Sequence, residues 1–142
     1  MTILSSRTVL VSFCKNTHHY VVCEENDPRR ALETARSFHP DLILLDLIMP
    51  QEDGTEVATQ ITSDWMLHSV PIVFVTALIT QEEARDGRRI EGHRVVPKPG
   101  HGSELIKVVE ESLPKWFNNS SQTAIFLTQL LWRTARIFPQ LG

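Results

Sequence analysis

Hydrophobic and polar positions along this chain follow two different periods. Leu42–Leu45 is an unbroken apolar run inside the segment His39–Gly54, HPDLILLDLIMPQEDG. Continuous apolar character between polar markers predicts a strand buried on both faces of a parallel sheet. Pro71–Val75 (PIVFV) repeats the pattern, Arg94–Pro97 (RVVP) is a shorter example, and Tyr20–Cys23 (YVVC) is a fourth. Between these runs the period becomes helical. Asn26 or Asp27 can cap a helix with Pro28 at its first position, where the missing N–H costs nothing. Ala31, Leu32, Ala35 and Phe38 then form its apolar stripe. Val57, Ala58 and Ile61 predict a helix after the Asp53–Gly54 turn, and Thr80–Glu83 reads as a capping box opening another. Leu105, Ile106, Val109 and Leu113 mark a further helix, ended by Pro114. Strands alternating with helices predict an α/β sheet with right-handed crossovers.

The two ends depart from this alternation. Leu10, Phe13, Cys14 and Thr17 fit one helical face, so Ser5–Lys15 is read as a helix, although Thr8, Val9 and Val11 favour a strand. Beyond the linker-like Asn118–Ser121, the segment Ile125–Phe138 carries Ile125, Phe126, Leu127, Leu130, Leu131, Trp132, Ile137 and Phe138. It is read as an amphipathic helix that docks on the domain itself, or contacts a partner or a second copy, with membrane-surface binding a third reading because only Arg133 and Arg136 would face lipid headgroups. The expected organisation is a domain over residues 1–114 and a linker with a helical tail over 115–142.

Composition narrows the function. At 142 residues the chain has the size of one domain, with 42% apolar and 22% charged residues, as in an ordinary globular protein. The net charge is −3 and Lys/Arg never occur in a run longer than two, which argues against direct nucleic-acid binding. Cys14 and Cys23 fit neither a CxxC nor a zinc spacing, so a reduced, cytoplasmic setting is expected. Neither a signal peptide nor a transmembrane segment is expected. The six histidines lack metalloprotease spacing, and there is no Walker motif and no GxSxG.

Three of the predicted strands end in residues suited to phosphate chemistry: Asp46 after LILL, Thr76 after IVFV, and Lys98 after VVP. Ligands of open α/β sheets bind outside the carboxyl ends of the strands, so these side chains can converge. A carboxylate can attack a phosphoryl group, while a hydroxyl and an ammonium bind the phosphoryl oxygens. Taken singly, a strand-end Asp or Thr is an ordinary cap or turn residue, and Lys98 between two prolines is an ordinary exposed lysine. Their order and spacing carry the weight.

On these residues the chain resembles the receivers of response regulators. PDLILLDLIMPQEDG resembles the third-strand motif of that family, VTAL the fourth and PKP the fifth, over roughly residues 17 to 113. The resemblance implies a flavodoxin-like three-layer α/β/α domain acting in a two-component phosphorelay, not an enzyme. Asp46 would be the phosphoacceptor, with Thr76 and Lys98 holding the phosphoryl group. Mg²⁺ would be held by Asp46 and the Ile48 backbone carbonyl. A histidine kinase or phosphotransfer protein would be the donor, and a downstream protein would read the phosphorylated surface. Homodimerisation is compatible with this, and the residues after Leu113 are too few for a typical DNA-binding module.

Three departures qualify the resemblance. Members of the family carry two adjacent acids after a central first strand, and residues 1–23 contain no Asp or Glu. Val95 stands where an aromatic is usual, and Gly100–Gly102 follows Lys98-Pro99 where an apolar residue is usual. Cys14–His19 is also too short for a parallel crossover, which needs about a dozen residues. The first strand is therefore expected to be missing. Thr8–Phe13 fills its slot, or the second strand closes onto the third and brings Glu24 or Glu25 toward Asp46. A weak metal site follows. The alternative is a pseudo-receiver, a binding module that is never phosphorylated. A flavin carrier on the same fold is a further rival, opposed by the lack of a phosphate loop after any strand.

Overall fold

The computed structural model describes residues 6–12, 19–25, 27–47, 53–76, 79, 82–83, 87, 89–97, 102–113 and 123–128. Its strands are β1 (Ser6–Ser12), β2 (His19–Glu25), β3 (Leu42–Asp46), β4 (Ile72–Thr76), β5 (Arg89–Ile90), β6 (His93–Pro97) and β7 (Thr123–Thr128). Helix α1 (Ala31–Phe38) follows a 3₁₀ turn at Pro28–Arg30; α2 spans Gly54–Thr62 and α3 spans Gly102–Ser112. One sheet holds the strands in the order β1-β2-β7-β3-β4-β6-β5. The pairs β2–β7, β7–β3, β3–β4 and β4–β6 are parallel, while β1–β2 and β5–β6 are antiparallel. The parallel centre with helical crossovers is flavodoxin-like.

The four apolar runs form β2, β3, β4 and β6 where the sequence predicts them. β3 and β4 are buried at every position, as a strand covered on both faces must be. Asp27 caps the turn into α1, its Oδ1 accepting from Arg29 N at 2.9 Å, with Pro28 next to it. Asp53 caps α2, which buries Val57, Ala58 and Ile61. Val109 of α3 is fully buried. Of the capping-box segment only residues 82–83 are described, and they are helical.

Three expectations are overturned. Ser6–Ser12 is a strand, as its β-branched residues favour, and not part of a helix over Ser5–Lys15. The connection to β2 is indeed too short for a parallel crossover, but it suffices for an antiparallel hairpin, so β1 lies at the sheet edge, pairing Val9 with Val22. The slot between β2 and β3 is filled by neither candidate. It holds β7, whose Ile125, Phe126 and Leu127 are fully buried. The segment expected to begin an appended amphipathic helix at Ile125 is thus a central strand of the same sheet; residues 129–138 of that expected helix lie outside the described residues. Burying three large apolar side chains is worth about 1.5–3 kcal/mol each, and the backbone of β7 gains partners on both edges.

The short β5 was not foreseen. Glu91 and Gly92 form a two-residue turn with φ of 53° and 85°, so both sit in the left-handed region that such hairpin turns demand.

Candidate functional site

Asp46 and Thr76 are the last residues of adjacent parallel strands. Asp46 pairs in register with Val75, so Thr76 stands one residue further along β4. Both are 2% exposed. The fold therefore brings these two predicted site residues to one carboxyl edge, on strands about 4.8 Å apart. Lys98 and Ile48 lie outside the described residues. Lys98 directly follows Pro97, which pairs with Thr76 at the end of β6.

The backbone after Asp46 is fixed from two sides. Leu47 N donates to Val75 O at 2.8 Å, and Gly54 N donates to Leu47 O at 2.9 Å. The start of α2 therefore rests on the end of β3. A Cβ at position 54 would stand 2.6 Å from the Asp46 carbonyl oxygen, 2.8 Å from Leu47 O and 2.9 Å from Leu47 Cα. All three are backbone atoms, so glycine is required there. Asp53 holds the same turn: its Oδ1 accepts from Thr55 N and Thr55 Oγ1, both at 2.9 Å. These bonds hold its carboxyl below the usual range.

Glu25, at the end of β2, is 1% exposed. Its Oε1 accepts a hydrogen bond from Thr34 Oγ1 of α1, and its Oε2 accepts from Asp27 N at 3.0 Å. It serves the β2–α1 connection. With β7 between β2 and β3, Glu25 is two strand spacings from β3, about 9.6 Å, so the expected approach of Glu24 or Glu25 to Asp46 across a closed β2–β3 pair does not occur.

For a divalent ion the described donors are poor. β7 reaches this edge with Leu127, paired with Leu44, and then Thr128. Neither supplies a carboxylate beside Asp46, Glu25 and Asp53 are committed as above, and no group of three His, Cys, Asp or Glu side chains gathers among the described residues. This set does not fit a tightly held Mg²⁺, which commonly takes one or two carboxylates plus water.

Sequence reasoning missed two polar ties that shape the scaffold. Asp41, just before β3, bonds to Ala124 at the start of β7. Asp64, 6% exposed, accepts from Arg36 Nε at 2.7 Å and pairs with its guanidinium, joining α1 to the turn after α2. The isolated carboxylates in HPD and TSD gave no spacing signal. A cleft of about 270 Å³ lies at the opposite, amino end of β4 and β6, where Arg94 is bonded to Glu111 and Ser112. It is separate from Asp46. No helix among the described residues is long and apolar enough to cross a membrane.

Comparison with known proteins agrees with this architecture. Residues 4–110 match the response regulator receiver domain family. The transcriptional regulatory protein PdtaR of Mycobacterium tuberculosis is 28% identical over 110 residues, covering 78% of this chain and 52% of that protein. The polar-differentiation response regulator DivK of Brucella ovis is 31% identical over 83 residues, covering 58% of this chain and 68% of that protein. The nisin biosynthesis regulatory protein NisR of Lactococcus lactis is 34% identical over 86 residues, covering 61% and 36%. The chain spans about half the length of PdtaR. With a match across most of its length, on a sheet that sets Asp46 and Thr76 side by side at its carboxyl edge, the chain belongs to the response regulator receiver family.

Proposed function

We propose that Asp46 accepts a phosphoryl group from a histidine kinase or phosphotransfer protein, and that the modified carboxyl edge is read by a downstream protein. Membership of the receiver family places the chain in two-component signalling generally; the acceptor residue, the donor and the reader are the parts proposed. The observation that carries the reading is the burial of Asp46 beside Thr76 at the ends of two paired parallel strands. In the proposed reaction an Asp46 carboxylate oxygen attacks phosphorus while the donor's P–N bond breaks. An acyl phosphate forms, and the donor imidazole leaves with the bonding pair. The Thr76 hydroxyl donates to a phosphoryl oxygen, and the Lys98 ammonium balances the added charge. Each chain takes up one group and presents it, in keeping with a signalling module.

Mg²⁺, if held by Asp46 and the Ile48 carbonyl, would supply charge neutralisation in such a transfer, and its site is proposed to be weak, because the strand beside β3 ends in Leu127 and Thr128. That same observation favours a second reading, a pseudo-receiver that binds partners without being phosphorylated. Incubation with a small phosphodonor and Mg²⁺, followed by intact-mass measurement, separates the two. The phosphorelay reading expects one added phosphoryl group on the parent and none on Asp46→Ala. An unlabelled parent establishes the pseudo-receiver, and equal labelling of both proteins moves the acceptor elsewhere.

A further inference from the structure

The central slot of this sheet is filled from far along the chain. β2 and β3, the walls of the slot, pair with each other only through β7. The walls are joined by α1 and lie within residues 19–46, whereas the strand between them comes from residues 123–128. Without β7 the slot exposes the facing ladder edges of two walls whose buried apolar residues include Cys23 of β2 and Leu42, Ile43 and Leu44 of β3. A groove of that kind accepts an extended apolar segment by strand addition on two edges at once. Asp41 adds a fixed point of register for whichever segment enters.

We propose that this groove also takes the β7 of a second copy of the chain, giving a closed dimer in which the two copies exchange residues 123–128. Every contact of β7 with β2, β3 and Asp41 is reproduced between copies, so exchange sacrifices none of them. What decides between the two arrangements is the connection over residues 113–122. Arg94 at the start of β6 bonds to Glu111 and Ser112, so α3 ends at the amino edge of the sheet, and β7 begins at that same edge beside Asp41. From β6 to β7 is three strand spacings, about 14 Å. The full connection spans this easily, and it holds the chain's own β7 near the groove at an effective concentration in the millimolar range. A second copy competes when chains fold at comparable concentration, because its β7 offers the same ladder and core contacts as the chain's own.

Two experiments test this. The unaltered protein is unfolded in denaturant, refolded at low micromolar and at high, near-millimolar concentration, and its mass in solution is measured by light scattering after chromatography. The dilute sample is expected to be monomeric. The concentrated sample is expected to contain dimer that persists for hours after dilution, since release requires β7 to leave the core. Monomer at both concentrations, or dimer that falls apart within the dead time of dilution, overturns the proposal. The second experiment deletes residues 114–121. The two residues left in the connection give three Cα steps between Ser112 and Thr123, which reach at most about 11 Å, too short for closure within one chain. This variant is expected to be a folded dimer at every concentration, and a folded monomer overturns the proposal. Should it fail to fold, the refolding of the unaltered chain decides alone.

Discussion

Asp41 and Ala124 are joined twice: Asp41 N donates to Ala124 O at 2.7 Å, and Ala124 N donates to Asp41 Oδ2 at 2.8 Å. One residue opens β3 and the other lies at the start of the strand that fills the centre of the sheet. The pair sets the register in which Leu127 lies against Leu44, and therefore which residues β7 brings toward Asp46. Replacing Asp41 with Ala leaves the Ala124 N–H without its acceptor in a half-buried position. The expected loss is about 1 kcal/mol, measurable as a lower urea midpoint with an unchanged slope.

Phe126 is the largest buried side chain of β7 and packs in the main core with Ile43, Phe74 and Val95. Phe126→Ala should cost about 3–5 kcal/mol, a large share of the stability of a domain this size. Thermal melting checks it. An unchanged melting temperature would mean that residues 123–128 are not part of the folded sheet.

Gly54→Ala places a methyl group against the carbonyl of Asp46. None of the three nearest atoms can rotate away, so the end of β3 or the start of α2 must shift. The expected cost is about 1–3 kcal/mol. Because the shift falls on Asp46, the proposed acceptor, phosphodonor labelling should fall more than the melting temperature alone accounts for.

The Arg36 guanidinium beside Asp64 holds that carboxyl below its ordinary range. A carboxyl with a depressed folded-state pKa stabilises the protein above its unfolded pKa, about 3.9, and loses that contribution as pH falls through the folded value. Asp64→Asn should therefore melt below the parent at pH 7. The gap should close as pH is lowered below 4, as the parent carboxyl itself becomes protonated. A gap that stays constant down to pH 2 would assign the effect of Asp64 to packing.

Much of this arrangement could be read from the residues. The runs LILL, IVFV, VVP and YVVC are apolar over consecutive positions, and that pattern survives any choice of neighbour, so β2, β3, β4 and β6 fall where expected. The same is true of Asp46 and Thr76, whose place at the strand ends needs only the strand limits. β7 was illegible for a physical reason. Ala124–Leu127 is a short apolar run that strand and helix accommodate equally, and the apolar residues that follow it continue a helical spacing. What makes it a strand is the slot between β2 and β3, a tertiary feature created because the β1–β2 connection permits only a hairpin. Likewise Ser6–Ser12 carried a strand signal in Thr8, Val9 and Val11. The spacing of Leu10, Phe13 and Cys14 suits a helical face as well, and it is the antiparallel hairpin with β2, which needs no long crossover, that decides for the strand.

The central claim is that Asp46 is the acceptor. After treatment with a phosphodonor, borohydride reduction converts an aspartyl phosphate to homoserine, and peptide mass spectrometry locates the converted residue. Conversion at position 46 alone is expected, within the peptide that contains Leu42–Leu45. Conversion at another Asp, at Asp53 for example, or none in a protein whose intact mass shows a phosphoryl group, would contradict it.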